Sequence, residues 1–125
     1  MTKDEFIKFI SDTYNTEPDY PFDDPNIVVF RHRDNQKWFG VIMTIPKGKL
    51  NISADGHIDI VNPKCAQEII DSLWTECGIY PAYHMSKSHW ISVSLNDDVS
   101  ADTVKWLTNI SYDLTKKKQK KQKHT

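Results

Sequence analysis

From Pro81 to Leu95 the chain reads PAYHMSKSHWISVSL. Two histidines bracket a short polar turn and a tryptophan follows the second, a pattern open to three readings: a binding site, a metal clamp, or a β-hairpin. With Ser86-Lys87 at the turn centre, Met85 faces Ser88, His84 faces His89, Tyr83 faces Trp90 and Ala82 faces Ile91. Strand alternation then puts His89, Ile91, Val93 and Leu95 on one face, as core, and Tyr83, Trp90, Ser92 and Ser94 on the other. A cross-strand Tyr–Trp pair adds about 0.2–1 kcal/mol to such a hairpin. A three-residue loop or a bulge would shift this register.

Working outward, Asn62-Pro63 reads as a helix start, with Asn as cap and Pro in the first turn. Ala66, Ile69, Ile70, Leu73, Trp74 and Cys77 then fall on one helical stripe, and Gly78 fits the position just past its end. Upstream, Ile27–His32, Lys37–Ile45 and His57–Val61 read as strands, separated by turn chemistry at Asp34-Asn35, Pro46-Lys47-Gly48-Lys49 and Ala54-Asp55-Gly56. In the second of these strands Phe39, Val41, Met43 and Ile45 share one parity and are expected to face a common core. The three prolines of NTEPDYPFDDPN mark a loop. Before it, Thr2 and Glu5 fit a capping box for a helix over residues 3–14 carrying Phe6, Ile7, Ile10 and Tyr14. Ser100 can cap a last helix with Val104, Leu107, Ser111 and Leu114 in one stripe. Helices at both ends and in the middle, with antiparallel hairpins between, predict an α+β two-layer domain over residues 1–115.

Composition narrows the function classes. Apolar residues at 38% and charged residues at 26% suit an ordinary soluble domain of 125 residues, and no apolar run approaches a membrane span. The N-terminus MTKDEFIKFI mixes acids with its apolar residues and lacks a cleavage site, so it does not read as a signal peptide. Cys65 and Cys77, placed by the predicted helix more than three turns apart, are too distant to bridge, which fits a reducing cytoplasm. The net charge of −1 hides a division: residues 116–125 hold six lysines and no acid, leaving ten Lys+Arg against seventeen Asp+Glu, about −7, in residues 1–115.

Tyr20-Pro21-Phe22, then Pro81-Ala82-Tyr83-His84-Met85, His89-Trp90, and Ser111-Tyr112-Asp113-Leu114 resemble, in order and spacing, the MmcQ/YjbR family of small bacterial proteins over about residues 1–115. The pattern of His84-Met85, Lys87 and His89-Trp90 is the most distinctive part, and the lysine tail lies outside it. The resemblance implies an α+β domain of the frataxin-like or secretion-chaperone-like kind with an antiparallel sheet. It also implies the family's label of a "double wing" DNA-binding protein. It carries over no catalytic residues.

Each candidate site has a plainer counterpart. His84 and His89 are two imidazoles where zinc takes three or four protein ligands, so they are expected to be structural, with a ring nitrogen on a backbone carbonyl, and neither metal nor cofactor is expected. Cys77 reads as packing, while Cys65 near a helix N-terminus could have a lowered pKa. Asp23-Asp24 and Asp97-Asp98 read as solvated turns, and four glycines in the whole chain leave no phosphate loop, so no enzyme is expected. For nucleic acid, Lys87 at a hairpin tip beside Tyr83 and Trp90 could act as a wing, with a cation for phosphate and rings for stacking. The acidic body opposes this. Lys116, Lys117, Lys118, Lys120, Lys121 and Lys123 form a basic arm, expected to be disordered when free, that could contact DNA or RNA, fold back on the acidic body, or simply solubilise. The first expectation is a monomeric, non-enzymatic, weakly and nonspecifically DNA-binding protein. The alternative is an interaction module whose acidic body binds a basic protein partner. Whether Lys87, Lys105, Arg31 and Arg33 gather on one face bears on the choice.

Overall fold

The structure is a computed structural model and describes residues 1–117. The chain begins with helix α1 (Lys3–Tyr14), closed at its start by the expected capping box: Glu5 N–H donates to Thr2 Oγ1 at 3.1 Å, and Thr2 N–H to Glu5 Oε1 at 2.9 Å. Strands β1 (Val28–Arg31) and β2 (Trp38–Pro46) follow, then a 3₁₀ turn (Lys47–Leu50) and β3 (His57–Asn62). Helix α2 (Gln67–Leu73), strands β4 (Ile79–Pro81) and β5 (Ile91–Ser94), and helix α3 (Ala101–Thr115) complete it. The five strands form one antiparallel sheet in the order β1-β2-β3-β5-β4. The α+β architecture is the expected one.

All three helices contribute to one core, in which Phe6 and Ile10, Ile70 and Leu73, and Val104 and Leu107 meet Val28, Phe30, Phe39, Ile42, Val61, Ile91 and Val93 of the sheet. The opposite sheet face carries a second buried cluster of Val29, Val41, Met43, Ile45, Leu50, Ile58 and Ile60. Among the described residues no α-helix covers it; Trp38, Ile52, Tyr80, Tyr83 and Met85 pack against it instead. Here the parity reading fails at one residue. Arg31 pairs with Trp38 while Phe30 pairs with Gly40, so Phe39 is an extra residue in β2. That bulge turns Phe39 toward the helices and leaves Val41, Met43 and Ile45 on the other face.

The middle helix is shorter than predicted. Asn62 ends β3, and Pro63–Cys65 continue in extended form against the chain before β5: Cys65 N–H donates to His89 O at 2.8 Å, Ile91 N–H to Pro63 O at 3.2 Å, and Lys64 bridges to Trp90. This pairing holds Pro63–Cys65 extended and occupies the Pro63 carbonyl that a helix starting at Asn62 would use, so α2 starts only after Ala66. It stops at Leu73, where the hydroxyls of Ser72 and Thr75 bond the carbonyls of Ile69 and Ser72. Trp74 and Cys77 are therefore exposed rather than on a buried stripe. Gly78 closes the segment in a left-handed conformation (φ +85°). In α3 the buried stripe runs Val104, Leu107, Thr108, Ser111 and Thr115, and Leu114 is exposed. At the sheet's edges, Asp19 exchanges both backbone hydrogen bonds with Val29 of β1, and β4 ends after three residues at Pro81. Among the described residues no helix is long and apolar enough to cross a membrane.

Candidate functional site

The turn between β1 and β2 and the end of α3 are joined. Asn35 Nδ2 donates to Thr115 O at 3.0 Å, and the buried ring of His32 meets Thr115 Oγ1 at 2.8 Å through Nε2. His32 also packs on Phe39 and Tyr112, with ring centroids 5.1 and 4.4 Å apart, and burial pushes its imidazole below the ordinary histidine value. Tyr112 stacks on Tyr14 at 4.3 Å. Burial, with Asp113 and Tyr112 nearby, pushes the Tyr14 hydroxyl up to about 12, so it stays protonated and donates to Asn109.

This junction fixes where the basic arm leaves the body. Lys116 and Lys117 line a cleft of about 380 Å³ together with Arg33, Asp34, His32, Tyr14 and Tyr112. Lys116 reaches Asp113 at 3.5 Å, and Arg33 and Lys117 make no ion pair among the described residues. Lysines just past a helix C-terminus also complement its partial negative charge. Lys118, Lys120, Lys121 and Lys123 lie outside the described residues. The four cations named above do not gather on one face: Arg31, paired with Asp19, and Arg33 line one cavity, but Lys105 lies over the Phe9 ring at 5.4 Å and Lys87 lines a different cavity; of the four, Arg33 also lines the cleft of Lys116 and Lys117.

The stretch from Pro81 to Leu95 departs from the expected hairpin. Pro81 pairs with Ile91, Tyr80 with Ser92 and Ile79 with Val93, one residue away from the predicted register. Residues 82–90 form a loop folded beside the helix-free face, so Tyr83 does not oppose Trp90 and His84 does not oppose His89. Ser86 O accepts from both His89 N–H and Trp90 N–H, at 3.2 and 2.9 Å, closing a wider turn than Ser86-Lys87 would make. His84 and His89 are exposed, and among the described residues neither ring makes a hydrogen bond, so the expected histidine clamp is not what holds the loop. A buried polar network does. Ser92 Oγ donates to Asn62 Oδ1 at 2.7 Å and accepts from Tyr83 N–H at 2.9 Å, while Asn62 Nδ2 donates to Tyr83 O at 2.9 Å. Lys87 sits exposed on this loop and Trp90 is half-buried.

Sequence reasoning picked the wrong histidines. His32 is the structural one, and its signal was weak: a single histidine at the end of an apolar strand. Ser111, within the SYDL motif, has a structural role as well, donating to Phe39 O at 2.6 Å and accepting from Lys64 N–H at 2.8 Å, which ties α3 to the bulge and to the segment before α2. Cys65 is buried, and burial pushes its thiol up, so the lowered pKa expected at a helix start is reversed. Among the described residues no three His, Cys, Asp or Glu side chains are placed to hold a metal ion.

Comparison with known proteins places this geometry. The uncharacterized protein YyaQ of Bacillus subtilis (strain 168) is 40% identical over 117 residues, covering 93% of this chain and 99% of YyaQ. A crystal structure of a Pseudomonas syringae protein superposes with a TM-score of 0.91 at 41% identity, covering 93% of this chain and all of that one. A Deinococcus radiodurans protein of the DUF419 family model, at 24% identity and TM-score 0.67 over 90% of this chain and 77% of its own, shares the fold. The YjbR family model matches residues 11–114. With the fold, the Tyr112–His32 junction and the 82–90 loop in view, the chain belongs to the YjbR family.

Proposed function

We propose that this protein binds nucleic acid weakly and largely without sequence preference, without catalysing a reaction, through the lysine arm and the basic end from which it springs. The observation that carries this reading is the cleft that Arg33, Lys116 and Lys117 line together with the stacked Tyr14 and Tyr112. A body of about −7 repels a polyanion, so contact must be made where cations project away from it. The end of α3 supports this choice, because the junction with the β1–β2 turn brings Arg33 to the same cleft as Lys116 and Lys117. Lys87 lines another cavity that shares no residue with this cleft, so it is expected to add little to duplex binding.

Fluorescence anisotropy on a labelled duplex tests the reading. Each neutralised phosphate adds about −0.9 to the slope of log K against log salt, so four to six engaged cations give a slope of roughly −3.5 to −5.5. Between about 50 and 200 mM salt the affinity should fall on the order of a hundred- to two-thousand-fold. A chain ending at Lys117 should bind more weakly with a slope nearer about −2. Identical affinity for the two chains would rule out the arm. Absence of binding by either at about 50 mM salt would remove the nucleic-acid reading and leave the acidic body as the surface to test against a basic protein.

A further inference from the structure

Between the 3₁₀ turn Lys47–Leu50 and the loop after β4 lies a cavity of about 620 Å³. Small-molecule sites span roughly 300–1,000 Å³, so the size suits a ligand of ten to twenty-odd heavy atoms and excludes a duplex. Its charge sets it apart. The cavity between α2 and α3 includes Glu76 and Asp98, the one along Arg31 includes Glu17 and Asp19, and the cleft under the arm includes Asp34. This cavity is lined by Lys49 and Lys87, with no carboxylate among its lining residues. In a body with seventeen acids against ten basic residues, a pocket holding cations alone is a local reversal of charge.

The rest of the lining is aromatic and apolar. Leu50 is buried in the second cluster, and Tyr80, Tyr83 and Met85 pack against that cluster. The His84 ring stands 4.0 Å from the Tyr83 ring. Both walls are held in place without a ligand. The Asn62–Ser92–Tyr83 network pins one of them. In the other, Asn51 N–H donates to Gly48 O at 3.1 Å. Asn51 caps this 3₁₀ turn in a left-handed conformation (φ 59°), and His84 takes one in the facing loop (φ 58°), as Asn15, Gln36 and Asp97 do elsewhere in the chain.

We propose that this cavity binds a small anion carrying a flat ring, with Lys49 and Lys87 taking the charge and Tyr80, Tyr83 and His84 flanking the ring. Aromatic carboxylates and nucleoside monophosphates share this chemistry. None of the residues involved lies in the arm or its cleft, so the site stands or falls separately from duplex binding.

The full-length, ¹⁵N-labelled protein is titrated with naphthalene-2-carboxylate and with adenosine monophosphate, and with inorganic phosphate and naphthalene-2-carboxamide as probes of charge alone and ring alone. At least one ring anion should saturate with a Kd at or below about 1 mM. Its amide shifts should fall on Lys49–Asn51 and residues 80–87 and spare Lys116 and Lys117. The double variant Lys49→Gln/Lys87→Gln should bind at least about ten-fold more weakly, as loss of a charge-assisted contact implies, with an otherwise unchanged spectrum. Preference for the carboxylate or for the nucleotide identifies which source of the shared chemistry the site takes. The proposal is overturned if neither ring anion saturates, if the shifts map elsewhere, if phosphate or the carboxamide binds as tightly as the ring anions, or if the double variant binds unchanged.

Discussion

Replacing Ser92 by alanine removes one oxygen and strands two partners. Ser92 is fully buried, and its Oγ is the acceptor for Tyr83 N–H and the donor to Asn62 Oδ1. Leaving a buried polar group unpaired costs about 1–3 kcal/mol. Asn62 is fully buried and would bear the larger share, whereas water can reach Tyr83 N–H more readily. The two losses together should lower stability by about 2–4 kcal/mol. For a chain of this length each kcal/mol lowers Tm by about 4 °C, so the midpoint should fall by roughly 8–16 °C. Urea titration should show the same loss with an unchanged m-value, since no compact state is altered. Hydrogen exchange gives the local readout, because the Tyr83 amide should lose protection before the amides of β2 and β3 do. Ser88→Ala, exposed on the same loop, should stay within about 0.5 kcal/mol of the parent. A loss under 1 kcal/mol for Ser92→Ala, with the Tyr83 amide still protected, would refute the claim that this network anchors the loop.

Gly78→Ala should cost about 2–4 kcal/mol in urea titration, because a Cβ there would sit 2.6 Å from Val99 Cγ2 and 2.9 Å from Asp98 Cβ on a left-handed backbone. Thiol labelling of the native protein should modify Cys77 at once and Cys65 at least about a hundred-fold more slowly, since Cys65 is buried with its thiol pushed up; equal rates would contradict its placement. Burial holds His32 below the ordinary histidine value of 6.5, so the unfolded chain takes up the proton first. The stability tied to neutral His32 is complete above that value and is lost as pH falls through the lower folded-state value. His32→Gln should therefore show a flatter decline of urea midpoint between about pH 7.5 and 5 than the parent, and an unchanged slope would refute the assignment.

Signals that depend on a few neighbouring residues were legible. Thr2 with Glu5 and Ser100 cap the helices they were read to cap, since a cap is decided within four residues. The MmcQ/YjbR motif pattern gave the family because the residues around it stand in a fixed order. What distant partners decide was hidden. Phe39 changes sheet face because β1 skips it, and parity counting assumes no such insertion. Pro63–Cys65 has good helix-start chemistry and yet is extended, because His89–Ile91 arrives from elsewhere to pair with it. The histidines show the same limit. His84 and His89 look special for their spacing, but His32 is the one that meets Thr115, which lies far along the chain. The cation-lined cavity joins Lys49 to Lys87, and nothing in either local sequence announces the other.

The two outer strands bear on how this protein behaves at high concentration. An open sheet edge is a template on which a second chain can add a strand, the first step toward aggregation and fibre growth. On β1 the outward groups of Val29 are already spent on Asp19, which interrupts the edge midway. On β4 only three residues are available, and Pro81 has no N–H to offer. The apolar second face, with its β-branched strands, would otherwise be a good seed for self-association. Blunted at both edges, the sheet offers little backbone on which a further strand could pair, so β1 and β4 are poor templates for edge-to-edge growth.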